Sequence, residues 1–152
     1  MKSAPSPLVT MYRSLVDLAE RLVWLAPLLI RIVFGYFWLE TGWAKLHNLD
    51  GAIQRFGNWG LPVPEFTAPF SAGAEFVFGI SMIVGLAFRV TMVGSIINML
   101  VALVVVVLPT IGTLDEFVEL DEVLYVLVFF WLLLVGPGKI SLDYLIDKKL
   151  RG

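Results

Sequence analysis

Leu28 to Leu46, LLIRIVFGYFWLETGWAKL, is apolar almost throughout, yet it carries Arg31, Glu40 and Lys45, and it belongs to one of four such runs along the chain. The runs, at about 22–46, 68–88, 90–108 and 119–135, each approach the roughly 20 residues that a membrane-spanning helix takes. Val90 to Leu114 holds 25 residues without one ionisable side chain, too long and too uniform for the buried helix of a soluble domain. The pattern predicts an all-α membrane protein, four transmembrane helices in an up-down-up-down bundle that makes one domain of residues 1–152.

The flanks follow a different period. Leu8, Met11, Tyr12, Leu15, Leu18, Ala19 and Leu22 recur at steps of three and four, with Arg13, Asp17, Glu20 and Arg21 opposite them. That is an amphipathic helix lying on a membrane surface. After Gly136–Gly138, Ser141 is placed to cap a second such helix, in which Leu142, Leu145, Ile146 and Leu150 run beside Lys148 and Lys149. The connection at 47–67 mixes Gly, Pro and Asn with Leu, Ile, Phe and Trp. It predicts a short helix over Asp50–Asn58 and an extended return at Leu61–Pro64, serving either as a surface anchor or as a lid over a cavity. The short turn at AFRVT makes the second and third spans antiparallel neighbours, and Pro109 and Gly112 end the third.

Composition sharpens this picture. Of 152 residues 59% are apolar and 16% charged, and the mean hydropathy is +0.86, too little polar surface for a soluble globule of this size. The net charge of -2 hides an asymmetry. Lys2, Arg13, Arg21, Arg89, Lys139, Lys148, Lys149 and Arg151 gather on one side, against Lys45 and Arg55 on the other, which also holds Asp50, Glu65, Asp115, Glu116, Glu119, Asp121 and Glu122. Both termini are therefore expected in the cytoplasm and the chain in the cytoplasmic membrane, crossed several times. The first apolar run follows Arg13, Asp17, Glu20 and Arg21 and has no evident cleavage site, so the first helix is expected to stay in place. With no cysteine and a single histidine, His47, the chain offers no thiolate metal site, disulfide or bis-histidine haem. No metal is expected, and any electron transfer would borrow its cofactor.

At 100° per residue Arg31, Gly35, Gly42 and Lys45 share one face of the first helix, while Glu40 points to roughly the opposite side. If Lys45 marks the outer boundary, Glu40 lies about 7 Å and Glu75 about 10 Å below it, at similar depth. Charges at such depth are costly and are expected to pair or to face a wet interior. Interhelical ion pairs, with Arg31 snorkelling to phosphates, would satisfy that demand structurally. The functional alternative is a polar pocket in the outer half, with Glu40 and Glu75 as proton-relaying catalytic groups. Arg31, Lys45, Trp38, His47 and Glu122 would then be its ligand-binding residues. Thr91, Ser95 and Asn98 form a further polar stripe, expected to hydrogen-bond between helices.

RIVFGYFWLETGWAKL, FGNWGLPVP, AGAEFVFGISMIVGLAFR and GPGKISLD together resemble the DoxX family of four-helix bacterial membrane proteins, over about Leu28 to Tyr144. The resemblance implies a cytoplasmic-membrane protein linked to redox enzymes, including components like DoxD of thiosulfate:quinone oxidoreductase, but transfers no catalytic residue set. The reading that follows is a membrane subunit of a quinone-linked complex, incomplete as an enzyme alone, with quinone as its only expected cofactor and none bound covalently. The alternatives are a scaffold recruiting a redox or sulfur-handling protein, and a small proton-coupled carrier. The expected partners are the lipid bilayer and a redox protein, not nucleic acid; self-association stays open.

Overall fold

A computed structural model describes residues 6–152. Lys2, counted above among the cytoplasmic cations, lies outside them. The described residues form α1 (Pro7–Leu22), α2 (Leu25–His47), α3 (Leu49–Asn58), α4 (Pro64–Val84), α5 (Phe88–Val101), α6 (Leu114–Val118), α7 (Asp121–Val135) and α8 (Leu142–Arg151). After Val101, α5 runs on as a π-helical segment, Ala102–Val107, and a 3₁₀ turn, Leu108–Thr110. The fold is all-α, as the apolar periodicity requires.

Each boundary has a local cause. A turn at Val23–Trp24 separates α1 from α2, so the first apolar helix starts at Leu25 rather than Leu22. The second, expected over 68–88, occupies Pro64–Val84, because Pro64 suits the first helical turn and Gly85 ends the helix in the left-handed region, at φ 69°. Asn48 caps α3 by accepting the Gly51 N–H at 3.1 Å. Ser141 caps α8 as expected, its Oγ accepting the Tyr144 N–H at 3.2 Å. Pro109 has no N–H to give to Val105, and its ring would crowd that carbonyl. The preceding turn widens accordingly, and the Leu108 N–H reaches back five residues to the Leu103 carbonyl.

Among the described residues three stretches are long and apolar enough to cross a membrane: Leu25–His47, Pro64–Val84 and Phe88–Thr110. The fourth expected span, α7, has 15 residues, short of the roughly 20 that a crossing takes, and packs antiparallel to α5.

The tightest seam joins α2 to α4, and glycine makes it possible. A Cβ on Gly42 would sit 2.9 Å from the Ala72 carbonyl, and one on Gly79 would sit 2.7 Å from the Gly35 carbonyl, so the backbones touch. Arg31, Trp38 and Lys45 follow one another at steps of seven beside this seam on α2, as Ala68, Glu75 and Met82 do on α4. The core, Trp38, Met82, Phe88, Met92, Phe129 and Leu132, fills the middle of the bundle. A smaller cluster of Ala52, Phe56 and Ala68 pins α3 onto α4.

At the other end of the bundle the tail is bound in. The buried Arg31 guanidinium donates from Nη1 to the Pro137 carbonyl at 2.6 Å and from Nη2 to the Ile140 carbonyl. It meets backbone carbonyls, not lipid phosphates, because Gly136–Gly138 turns the chain beneath it. The Asp143 carboxylate accepts the Ala87 and Phe88 N–H groups, both at 2.8 Å, capping α5 from 55 residues away. Leu8, Met11 and Leu15 on the apolar stripe of α1 are exposed, and α1 has no buried residue.

Candidate functional site

Near the α3 end, the seam that brings glycine against backbone also brings Lys45 against Glu75. Lys45 Nζ lies 2.6 and 2.7 Å from the two Glu75 carboxylate oxygens, a two-point pair. The Glu75 side chain is 6% exposed and that of Lys45 25%, so the carboxylate is the interior partner and the ammonium stem reaches it from the rim. α5 closes the third side. Asn98 Nδ2 donates to Glu75 Oε1 at 3.3 Å, and Ser71 Oγ, one turn before Glu75, lies 3.2 Å from that oxygen and 3.1 Å from Asn98 Oδ1. A hydroxyl has one proton, so Ser71 donates to one of these two oxygens at a time.

Lys45 has three N–H donors and Glu75 engages two of them. Beside the pair opens a cavity of about 740 Å³, lined at its polar end by Lys45, Glu75, Ser71 and Asn98, with Glu122 of α7 also on its wall. Apart from Thr67 the remaining wall is apolar, including Phe56, Trp59 and Leu61 from α3 and the loop after it, and Val105 to Val107 from the π-helical segment. That volume falls in the range of about 300–1,000 Å³ typical of small-molecule sites, and an apolar wall with a few convergent polar groups is their usual construction. The loop at 47–67 thus does more than sit on the surface, since five of its residues, Phe56, Trp59, Leu61, Pro62 and Thr67, face this space. Chemically, the arrangement suits a mostly apolar molecule with a carbonyl or hydroxyl end turned towards Lys45.

The structure joins Lys45, Glu75 and Glu122 at this cavity and leaves the other candidates apart. Glu40 is exposed on the opposite face of α2 and enters neither ion pair among the described residues. Trp38 is 1% exposed in the core, its ring 6.4 Å from that of Phe78 and 5.3 Å from that of Phe129. Arg31 is at the far end, holding the tail. His47 is exposed, its Nδ1 2.9 Å from the Trp43 carbonyl and its ring against the Trp43 ring. Of the polar stripe, Asn98 bridges to α4 while the buried Ser95 Oγ has no hydrogen-bond partner. Ser71 and the π-helical wall escaped the sequence reading. The signals were there: Ser71 precedes Glu75 by four, and Pro109 stands four residues after Val105.

A family model described as DoxX matches residues 26–108, the stretch that supplies Lys45, Ser71, Glu75 and Asn98 but not Glu122. Over 78 aligned residues the chain is 35% identical to a protein of Bacillus subtilis (strain 168) named "Putative oxidoreductase CatD". The match covers 47% of this chain and 57% of that relative, so the chain spans little more than half of the relative's length. No solved structure matches.

Proposed function

Because the chain belongs to the DoxX family of membrane proteins, with a relative named as an oxidoreductase, we propose that it is a multi-pass membrane subunit of a quinone-linked redox complex. One observation carries this reading: the Lys45–Glu75 pair stands at the polar end of a cavity whose other walls are apolar. In this reading the four apolar helices lie in the cytoplasmic membrane, α7 spanning less of its thickness than the other three, with the basic end inside and the cavity towards the outer face.

A bound quinone would supply a two-electron, two-proton acceptor, and the electrons would come from a partner protein's redox centre. The residues of this chain handle binding and protons. Lys45 would hold a quinone oxygen through its third N–H and would be the group placed to supply it with a proton. Glu75 holds the ammonium in place, and Asn98 and Ser71 hold Glu75. Glu122, on the wall of the same cavity, would be the second group able to pass a proton. The apolar wall from Phe56 to the π-helical segment binds the ring and the start of its tail.

The test is a titration of the detergent-solubilised protein with a short-chain quinone, read by quenching of tryptophan fluorescence, since Trp59 lines the cavity. Saturable binding that weakens at least tenfold in Lys45→Met supports the reading. Absence of saturable binding by the wild-type protein overturns it.

A further inference from the structure

The outward face of α2 carries a carboxylate with no hydrogen-bond or ion-pair partner among the described residues. Glu40 lies seven residues before His47, where α2 ends, about 10 Å along the helix axis. It is exposed, and around it Val33, Tyr36 and Trp43 are 64%, 62% and 53% exposed. The opposite face of α2 is locked onto α4, so Glu40 cannot turn towards the cavity. Nor can it climb to the nearer surface. Side chains on a helix lean towards its N-terminus, which here points Glu40 deeper, and a glutamate is too short to snorkel back.

We propose that this face docks a helix of a different membrane protein, one that presents a lysine, arginine or histidine at the depth of Glu40. A carboxylate in hydrocarbon is costly until it meets a donor or takes up a proton, and a cation on the partner removes that cost while adding specificity. A second copy of this chain fits poorly. A two-fold contact centred here would set Glu40 against its own symmetry mate, charge against like charge. No described segment of the chain covers the face either, since Val33, Tyr36, Glu40 and Trp43 all stay exposed. The inference is independent of the quinone reading, since it uses none of the cavity's residues.

The test is photo-crosslinking from an unnatural residue at Tyr36 of the full chain, in the membranes of the organism that makes it and without added quinone. The same probe at Leu127, an exposed position on α7, serves as control. The proposal expects one discrete heterologous adduct from position 36 and none from 127. Its yield should fall severalfold with Glu40→Gln and at least tenfold with Glu40→Lys, both variants keeping the wild-type melting temperature. Reversing the partner's cation to glutamate should restore the adduct with Glu40→Lys. Adducts to lipid only, an adduct to a second copy of this chain, or a yield indifferent to residue 40 would each overturn it. If crosslinking fails while quinone still binds, the partner face falls and the cavity reading stands.

Discussion

Lys45 and Glu75, thirty residues apart, meet as a two-point ion pair with both contacts at 2.7 Å or less. They meet where α2 and α4 lie backbone to backbone, with Gly42 one turn from Lys45 and Ala72 one turn from Glu75. The close approach is what lets a lysine from one helix reach a carboxylate buried in the next. Two charges in apolar runs are thereby accounted for, and a third, Arg31, by the two carbonyls that receive it.

Removing one member of a buried pair strands the other. Lys45→Met should lower stability by about 3 kcal/mol, while Lys45→Met with Glu75→Leu should regain most of the loss. Thermal unfolding of the singles and the double in the same detergent measures the coupling. Additive losses would mean that the two side chains do not depend on each other.

The seam predicts opposite outcomes for two glycines of α4. Gly79→Ala drives a methyl into the α2 backbone and should cost about 1–3 kcal/mol. Gly73→Ala meets nothing within 4 Å and should be neutral or stabilising by up to about 1 kcal/mol. Melting temperatures of the two variants decide it.

The tail is held by Arg31 and Asp143. Arg31→Lys keeps the charge but cannot span two carbonyls, and Asp143→Ala leaves the Ala87 and Phe88 N–H groups uncapped. Both should speed tryptic cleavage after Lys139 severalfold, and Asp143→Ala should cost about 1–2 kcal/mol. Unchanged cleavage kinetics would show that the tail is anchored by other contacts.

Pro109 should be what keeps the cavity wall wide. Pro109→Ala restores an N–H to the helix, so it should raise the melting temperature while weakening quinone binding, as Val105 to Val107 shift back towards α geometry. A stabilised variant with undiminished binding would separate the π-helical segment from the site.

Much of this was legible from spacing alone. Placing Arg31, Gly35, Gly42 and Lys45 on one face of the first helix identifies the side that packs on α4, and the same wheel turns Glu40 away. The expectation that Glu40 and Glu75 share a pocket came from depth, which fixes height along the helix but not direction around it. Asn98 was legible as an interhelical hydrogen bonder. Its partners were not, since periodicity on α5 says nothing about which side chains of α4 it faces. Neither alternative for Arg31, snorkelling to phosphates or binding a ligand, anticipates the Pro137 and Ile140 carbonyls, because the fold of Gly136–Gly138 beneath it is a tertiary fact, invisible to a pattern along one helix. Pro109 and Gly112 do bracket the end of the third helix, at Thr110, but the widened turn before Pro109 is not visible in the spacing.

The most direct measurement is photoaffinity labelling with an azido-quinone in native membranes, followed by mass-spectrometric mapping of the modified positions. If the Lys45–Glu75 pair heads a quinone site, label should concentrate between Phe56 and Ser71 and between Ile97 and Val107, and excess unlabelled quinone should displace it. Label spread over the lipid-facing surface of α7, indifferent to competitor, would contradict that assignment.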